Sequence, residues 1–509
     1  MFSEGKVYSE STASVKRIFG AGLFIVLTAG FAFAEVNGKR NDEVTFEPFT
    51  VKLYDGSEVQ AEKGKIKVPE NRKNRDSRLI TVAFVRVKST SENPGTPLIY
   101  LAGGPGGSGT AAARFPYLMR YREVADLIFI DQRGTGMSSP RPLYRSKQPF
   151  PEDGFVNEQT ALNRMMSQRK EAYEELIKQG FDLLGYNTQE SADDINDLRK
   201  ALGYEKVSLL GFSYGTHLGL ITIRRHGDYL DKVVLVGTEG PNHTLKYPST
   251  YQAQMIKLSA YAARDDDVNS FAPDMLALAE RVLKKLAEDP VTVKIKPRGS
   301  DEEIPVKVGE FGLRLILRLD IGDGNDTPVF PALLHTIDQG DLDLLTWFVQ
   351  KRYFMLASGF VNGMSMMMDA YSGISGPRLA RVNDELDSCF LGMMVNLGEP
   401  DAYAAVGNPD LGNDYRKPIH SNVETLFISG TLDSNTPPFN TEEVRWGFPF
   451  SYHIIVDHAG HEDMWPKVEV QEEIIRFLKS GTISGKRISH KIPDFLSVAD
   501  AKRNRGIVK

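Results

Sequence analysis

Gly211-Phe212-Ser213-Tyr214-Gly215 is the segment of this chain whose residue types and spacing could do chemistry most directly. The run before it, Val207-Ser208-Leu209-Leu210, reads as a buried strand, and the run after it reads as a helix. Ser213 would therefore sit in a sharp strand-to-helix turn, the context of a nucleophile elbow. Glycines two residues before and two after remove the Cβ atoms that would keep neighbouring segments apart. A hydroxyl held there, at the positive end of a helix, could attack a carbonyl carbon. It needs a base to take its proton and an acid to fix the tautomer of that base.

Both partners are expected further along, each at the end of a later strand. Thr425 to Gly430 reads as a strand that runs into Thr431-Leu432-Asp433. The next strand, Tyr452 to Val456, runs into Asp457-His458-Ala459-Gly460-His461. Asp433 is the expected acid and His461 the expected base. Asp457 competes for the first role but shares a strand end with the histidines. His458 competes for the second, whereas His461, after Gly460, lies further out on the loop and has more freedom to reach Ser213. His217 lies one turn into the helix after Ser213 and is expected to point away. The His458-x-x-His461 pair with Glu462 and Asp463 lacks the H-E-x-x-H order and a third ligand nearby, so no metal is expected.

Gly103-Gly104-Pro105-Gly106-Gly107-Ser108-Gly109 follows the strand Pro97 to Ala102. Attack on a carbonyl creates an oxyanion that needs preorganised donors. The backbone N–H of Tyr214 supplies one, and the glycine run supplies another, at Gly104. A phosphate cradle is the competing reading. No Lys-Ser/Thr pair completes a P-loop and no acidic residue stands at dinucleotide-binding spacing, so no cofactor is expected. Glu239, in Val236-Gly237-Thr238-Glu239-Gly240-Pro241, leaves the strand that follows the Ser213 helix. Its carboxylate could anchor a substrate ammonium group, or it could simply cap its loop. Asp131 and Arg133 read as a loop-bracing ion pair at the mouth of the site.

The elements that must position these residues fall into two patterns. Phe49 to Tyr54, Gly64 to Val68 and Leu79 to Val87 read as strands, the last alternating in the manner of an antiparallel edge. Pro97 to Ala102, Asp126 to Asp131, Lys206 to Gly211, Asp231 to Gly237, Thr425 to Gly430 and Ser451 to Val456 are short and continuously apolar. Such runs are strands covered on both faces, hence a mostly parallel sheet flanked by helices. The amphipathic stretch from Asp193 to Leu202, stopped by Gly203, is one of those helices. Between Gly237 and Thr425 the alternation is lost. That span reads as mainly helical, with helices over Tyr251 to Arg264, Phe271 to Glu288 and Phe311 to Leu319, and then a run of methionines (Met364, Met366, Met367 and Met368) read as core filler. The implied division is a signal over 1–34, core over 35–241 and 416–480, a helical cap over 242–415, and a tail over 481–509.

Bulk properties narrow the function. The chain has 509 residues, 25% of them charged, with a net charge of −6 spread along its length. Nucleic-acid binding would need clustered Lys and Arg, and no such cluster stands out. The one cysteine, Cys389, is expected to be packed, and it excludes an intrachain disulfide. Lys16 and Arg17, an apolar run from Ile18 to Phe33 and the Ala32-Phe33-Ala34 site have the order of a secretory signal. The run is shorter than a spanning helix of about 20 residues. The expectation is a periplasmic or secreted protein with no stable membrane association after cleavage.

Taken together, Gly103 to Gly109, Asp131-Gln132-Arg133-Gly134-Thr135-Gly136-Met137-Ser138, Gly211 to Thr216, Gly430 to Asp433 and Ala459-Gly460-His461-Glu462 resemble the proline iminopeptidase and tripeptidyl aminopeptidase family of α/β-hydrolases. The likeness covers roughly residues 80–240 and 420–480. It implies an α/β-hydrolase fold, release of amino-terminal residues from peptides, a cap that shapes the pocket, no cofactor, and Ser213, Asp433 and His461 as the triad. Proline iminopeptidases usually carry a histidine before the paired glycines. Here that position is Ala102, which favours the relatives that release di- or tripeptides. A carboxylesterase or lipase of the same fold, and a non-catalytic binding protein on this scaffold, are the competing readings.

Overall fold

The computed structural model describes residues 44–508, and the apolar segment read as an export signal lies outside them. The chain begins with three antiparallel strands, β1 (Phe46–Lys52), β2 (Glu58–Pro69) and β3 (Leu79–Val87). The four-residue strands β4 (Leu98–Leu101) and β5 (Leu127–Ile130) are buried at every position. A short β6 (Leu143–Arg145) stands apart, before β7 (Val207–Phe212) and β8 (Leu230–Val236). Then come a hairpin of β9 (Val291–Ile295) and β10 (Ile304–Val308), and β11 (Phe360–Asn362), which pairs with β6. β12 (Glu424–Gly430), β13 (Ser451–Val456) and the two-residue β14 (Arg487–Ile488) return to the main sheet.

The main sheet has the order β1-β2-β3-β5-β4-β7-β8-β12-β13-β14. β3 meets β5 antiparallel, and every pairing from β5 onward is parallel. Alternate residues of one strand enter different cores. Ile99, Ile128, Leu209, Leu235 and Phe427 pack on one face, and Tyr100, Phe129, Leu210, Val236 and Ile428 on the other. Both faces are apolar because helices cover both, as continuous apolar strands require.

The helices are set by local signals. Asn187 accepts the Glu190 amide and starts the helix Thr188–Ala201, which ends just before the positive-φ Gly203. Thus the amphipathic stretch read from Asp193 is longer by more than a turn. Asp274 accepts the Ala277 amide, so the helix expected from Phe271 starts at Met275 and runs to Glu288. Its Met275, Leu278, Ala279, Val282, Leu283 and Leu286 lie on one buried stripe. They join a third core with residues of the helices Pro248–Ala262, Glu310–Asp320, Phe330–Asp338 and Asp343–Ala357.

Two parts of the span between β8 and β12 depart from the helical expectation. The β9–β10 hairpin buries Val293, Ile295, Val306 and Val308 with period two. From Leu386 to Val406 the chain forms short 3₁₀ turns rather than α-helices. The tail also has structure that basic composition did not reveal. β14 extends the sheet, and the helix Val498–Asn504 buries Ala501 in the third core. Arg505 pairs with Asp326 at 2.7 Å. Cys389 is buried in the same core.

Candidate active site

Ser213 has φ 53° and ψ −124°, a left-handed conformation that non-glycine residues avoid and that is kept only where surrounding structure enforces it. Its N–H donates to Val236 O at 3.0 Å, and its carbonyl accepts the Thr216 N–H at 2.8 Å and the Thr216 hydroxyl at 2.7 Å. The flanking glycines allow this closeness. A Cβ on Gly215 would lie 2.0 Å from Leu101 O, and one on Gly211 would lie 2.5 Å from Gly215 O. The elbow thus wedges β7 and its helix against the end of β4.

His461 reaches the same place from the loop after β13. Its Nδ1 is 2.8 Å from Asp433 Oδ2, and its ring lies 4.9 Å from that of Phe212, the neighbour of Ser213. Gly237, directly after the residue that holds the Ser213 amide, faces the imidazole so closely that a Cβ there would be 3.3 Å from Cε1. Asp433 is buried, and its Oδ1 accepts the amides of Asn435 at 2.9 Å and Thr436 at 2.8 Å. Burial pushes the Asp433 carboxyl up, but the imidazole and the hydrogen bonds from Thr436 outweigh it and the net shift is downward. Burial pushes the His461 imidazole down, yet the facing carboxylate outweighs it and raises it above its ordinary range. The Nδ1 bond leaves Nε2 as the nitrogen able to accept a proton from a hydroxyl in the cavity.

The competitors are engaged elsewhere. His458 turns toward the tail, with Nδ1 2.6 Å from His490 O. Asp457 pairs with Arg487 at 2.6 Å. His217, fully buried, has Nε2 2.5 Å from the Tyr415 hydroxyl.

Asp131 and Arg133 do brace the site, but not as a pair with each other. Asp131 accepts from the Ser108 hydroxyl at 2.7 Å, the Thr110 amide at 3.0 Å and the Met137 amide at 2.7 Å. It therefore shapes the end of the glycine loop. The Arg133 guanidinium, with no exposed surface, grips Asp194 through two bonds at 2.8 and 2.7 Å. The ion-pair expectation is corrected on this point, because the turn sends the two side chains in different directions.

Gly103 and Gly104 line one cavity with Ser213 and His461. A Cβ on Gly103 would lie 3.1 Å from that of Ser213. Gly104 takes φ 119°, open only to glycine at low cost, and turns the loop away beneath the side chains above it. Tyr214 opens the following helix, where first-turn amides have no intrahelical partner. Its side chain is buried, the hydroxyl 3.0 Å from Thr188 Oγ1 and 3.2 Å from Met368 Sδ.

The cavity measures about 760 Å³, and carboxylates stand around its upper wall. Glu239 is among them, but Lys246 Nζ holds its Oε2 at 2.6 Å and His217 Nδ1 is 3.4 Å from Oε1. Burial raises the Glu239 carboxyl, and Lys246 and His217 outweigh that, leaving it at about 2. Glu399 is paired with Arg169 at 2.9 Å. Asp369 also lines the cavity, yet among the described residues its carboxylate has no hydrogen-bond or ion-pair partner. Burial, with Glu399 and Glu239 near, pushes its carboxyl well above the usual range. Asp369, Arg169 and Met165 escaped the sequence reading. The first lies in the methionine-rich helix Gly363–Ser372, and the others in the helix Glu158–Lys178, where no motif marks them.

The methionine-rich helix is anchored on the glycine loop. Ser365 donates to Pro105 O at 2.7 Å, and Asn362 caps the helix by accepting the Met364 amide at 3.0 Å. The helix Pro248–Ala262 holds the Asp433 loop in the same way, with Gln254 donating to Leu432 O and Tyr251 meeting Asn435 Oδ1 at 2.5 Å. Gly460 lies against Gly322 so closely that a Cβ would sit 2.1 Å from its carbonyl oxygen.

Sheet order, elbow and strand-end acid and imidazole together define an α/β-hydrolase fold. Residues 96–286 match the family described as alpha/beta hydrolase fold, and residues 409–489 match the family described as TAP-like protein. The chain is similar to a tripeptidyl aminopeptidase of Streptomyces lividans, 28% identical over 221 residues, 40% of each chain. It is also similar to the serine protease Hip1 of Mycobacterium tuberculosis (strain CDC 1551 / Oshkosh), 28% identical over 190 residues, 35% of this chain and 36% of the relative. These matches span less than half the length of the curated relatives. A solved esterase from Exiguobacterium antarcticum aligns over 85% of this chain and 100% of its own, at 15% identity and a TM-score of 0.36.

Proposed function

We propose that this chain is an exported serine aminopeptidase that releases short peptides from free amino termini through an acyl-enzyme. The observation that carries the reading is the Ser213 elbow sharing one cavity with the His461–Asp433 pair and with the unpaired Asp369 carboxylate. Ser213 Oγ attacks the scissile carbonyl while His461 Nε2 takes its proton. The tetrahedral oxyanion is met by the Tyr214 and Gly104 amides. His461 then gives the proton to the leaving amine, and water repeats the sequence on the ester. Asp433 keeps Nδ1 protonated and steadies the imidazolium.

The free ammonium group is read by Asp369 rather than Glu239, whose charge is already answered by Lys246. An unpaired carboxylate in a closing cavity gains a charge-assisted bond only when a cation arrives. The relatives named tripeptidyl aminopeptidase and serine protease support peptide substrates. The signal-like segment over 1–34 supports a periplasmic or secreted location.

The test is a panel of free and N-acetylated chromogenic di- and tripeptides, a short nitrophenyl ester, and a fluorophosphonate probe. Expected are labelling at Ser213, lost in Ser213→Ala, and turnover of free-amine peptides far above the acetylated ones. Ester turnover alone would hand the site to an esterase, and absence of labelling would leave a binding protein. Because His461 is raised, kcat/KM should climb as pH passes above the ordinary imidazole value of about 6.5 and the base loses its proton.

A further inference from the structure

The cavity over Ser213 continues past Asp369. Met165, Arg169, Asp369 and Leu397 line it and also line a second chamber of about 320 Å³. Phe150, Leu162, Leu315, Met355, Met366 and Met394 give that chamber an apolar lining. Its two guanidinium groups are engaged. The Arg164 guanidinium donates to Pro149 O at 3.1 Å and Leu356 O at 2.9 Å, and Arg169 is held by Glu399. The Asp369 carboxylate stays unpaired among the described residues. Gln168 is buried, its Oε1 held by Arg164 at 3.2 Å, and its Nε2 has no partner among the described residues.

We propose that this chamber is the subsite for the side chain of the substrate's amino-terminal residue, and that it selects large apolar side chains. The inference rests on the aminopeptidase reading. An amino-terminal residue carries its ammonium group and its side chain on the same α-carbon, so the group that reads the charge must stand at the entrance of the pocket that takes the side chain. Asp369 stands at that junction, shared by both cavities. The helix Gly363–Ser372 makes the arrangement rigid. Ser365 ties it to the glycine loop, and Asp369, four residues on, lies about 6 Å further along the same face. Met366 on this helix walls the chamber. Methionine and leucine walls adapt to several apolar shapes. Residues 287–408, which contribute Asp369 and most of the chamber, lie between the two family matches.

The experiment is a series of free-amine tripeptide p-nitroanilides, X-Ala-Ala, with X as Leu, Met, Phe, Ser or Lys, on the full chain and on Ala161→Trp, which fills the chamber from the helix Glu158–Lys178. The native chain should favour Leu, Met and Phe over Ser by roughly tenfold or more in kcat/KM, the scale of discrimination a hydrophobic pocket gives. In the variant that ratio should collapse to about two, with the fluorophosphonate labelling rate of Ser213 reporting an intact site. A flat native series with brisk cleavage overturns the subsite and leaves the aminopeptidase reading standing. No cleavage of any free-amine peptide, with Ser213 still labelled, overturns both. A variant that keeps the native ratio also overturns the subsite, and the native series decides the matter even if the variant does not fold.

Discussion

Asp369 and Glu239 are two carboxylates of one cavity in opposite surroundings. Glu239 is neutralised from within the protein, so its charge is a structural asset. Replacing it by Gln leaves Lys246 without its counter-charge and should cost on the order of 3 kcal/mol, measured by chemical denaturation. The sign with pH follows from its downward shift to about 2. The pair's contribution is fully present above the ordinary carboxylate range and is lost as pH falls toward about 2, so Glu239→Gln should flatten the acid limb of the stability curve. Asp369 has the reverse character. Its raised carboxyl must be ionised to hold an ammonium group, so kcat/KM for free-amine peptides should rise with pH through its titration, while hydrolysis of a nitrophenyl ester does not follow that limb. Asp369→Asn should lower free-amine turnover by about a hundredfold, a loss of roughly 2.7 kcal/mol, and leave the ester within a few-fold. Equal losses on both substrates would end the assignment. Ser213, Asp433 and His461 were legible in the sequence because strand ends fix their order. Asp369 was not, since a carboxylate within a methionine-rich helix carries no local sign of the cavity it faces.

At the scale of elements, the legible part was the sheet. Short, fully apolar runs such as Leu98–Leu101 and Leu127–Ile130 read as doubly covered strands, and the parallel pairing of β7, β8, β12 and β13 puts Ser213, Asp433 and His461 beyond the same end of the sheet. The elbow shows what that register demands. Gly215→Ala would place a Cβ 2.0 Å from Leu101 O, a backbone atom that cannot yield without parting β4 from the Ser213 helix. The variant should fail to accumulate as folded protein, read by soluble yield and circular dichroism. Normal folding would contradict the geometry of the turn. The insert was less legible for two physical reasons. Helix starts there are set by single caps such as Asp274, which displaces the start from Phe271 to Met275. The β9–β10 hairpin lies between helices, where its period-two pattern spans only five residues on each side.

At the scale of the whole fold, the third core is closed by the segment from Val498 to Arg505. The helix Val498–Asn504 and Arg505 fasten onto the helices of the third core, with Lys502 reaching Asp343 at 2.7 Å. Ending the chain at residue 494 removes Ala501 from that core and leaves Asp326 without Arg505. It should lower the midpoint of thermal unfolding by several degrees, roughly 2–4 °C per kcal/mol lost. Limited proteolysis should then cut within residues 242–415 first. A melting curve unchanged by the truncation would mean that the tail merely rests there.

Tyr214 gives the site a mechanical property of its own. Its backbone follows directly on Ser213, while its hydroxyl abuts Met368, on the helix that also bears Asp369. The elbow and the methionine-rich helix therefore share one buried contact. A substitution at Met368 should therefore reach the turn that holds Ser213, whereas one at Phe150 or Met355, which line the second chamber and not the first, should leave that turn undisturbed.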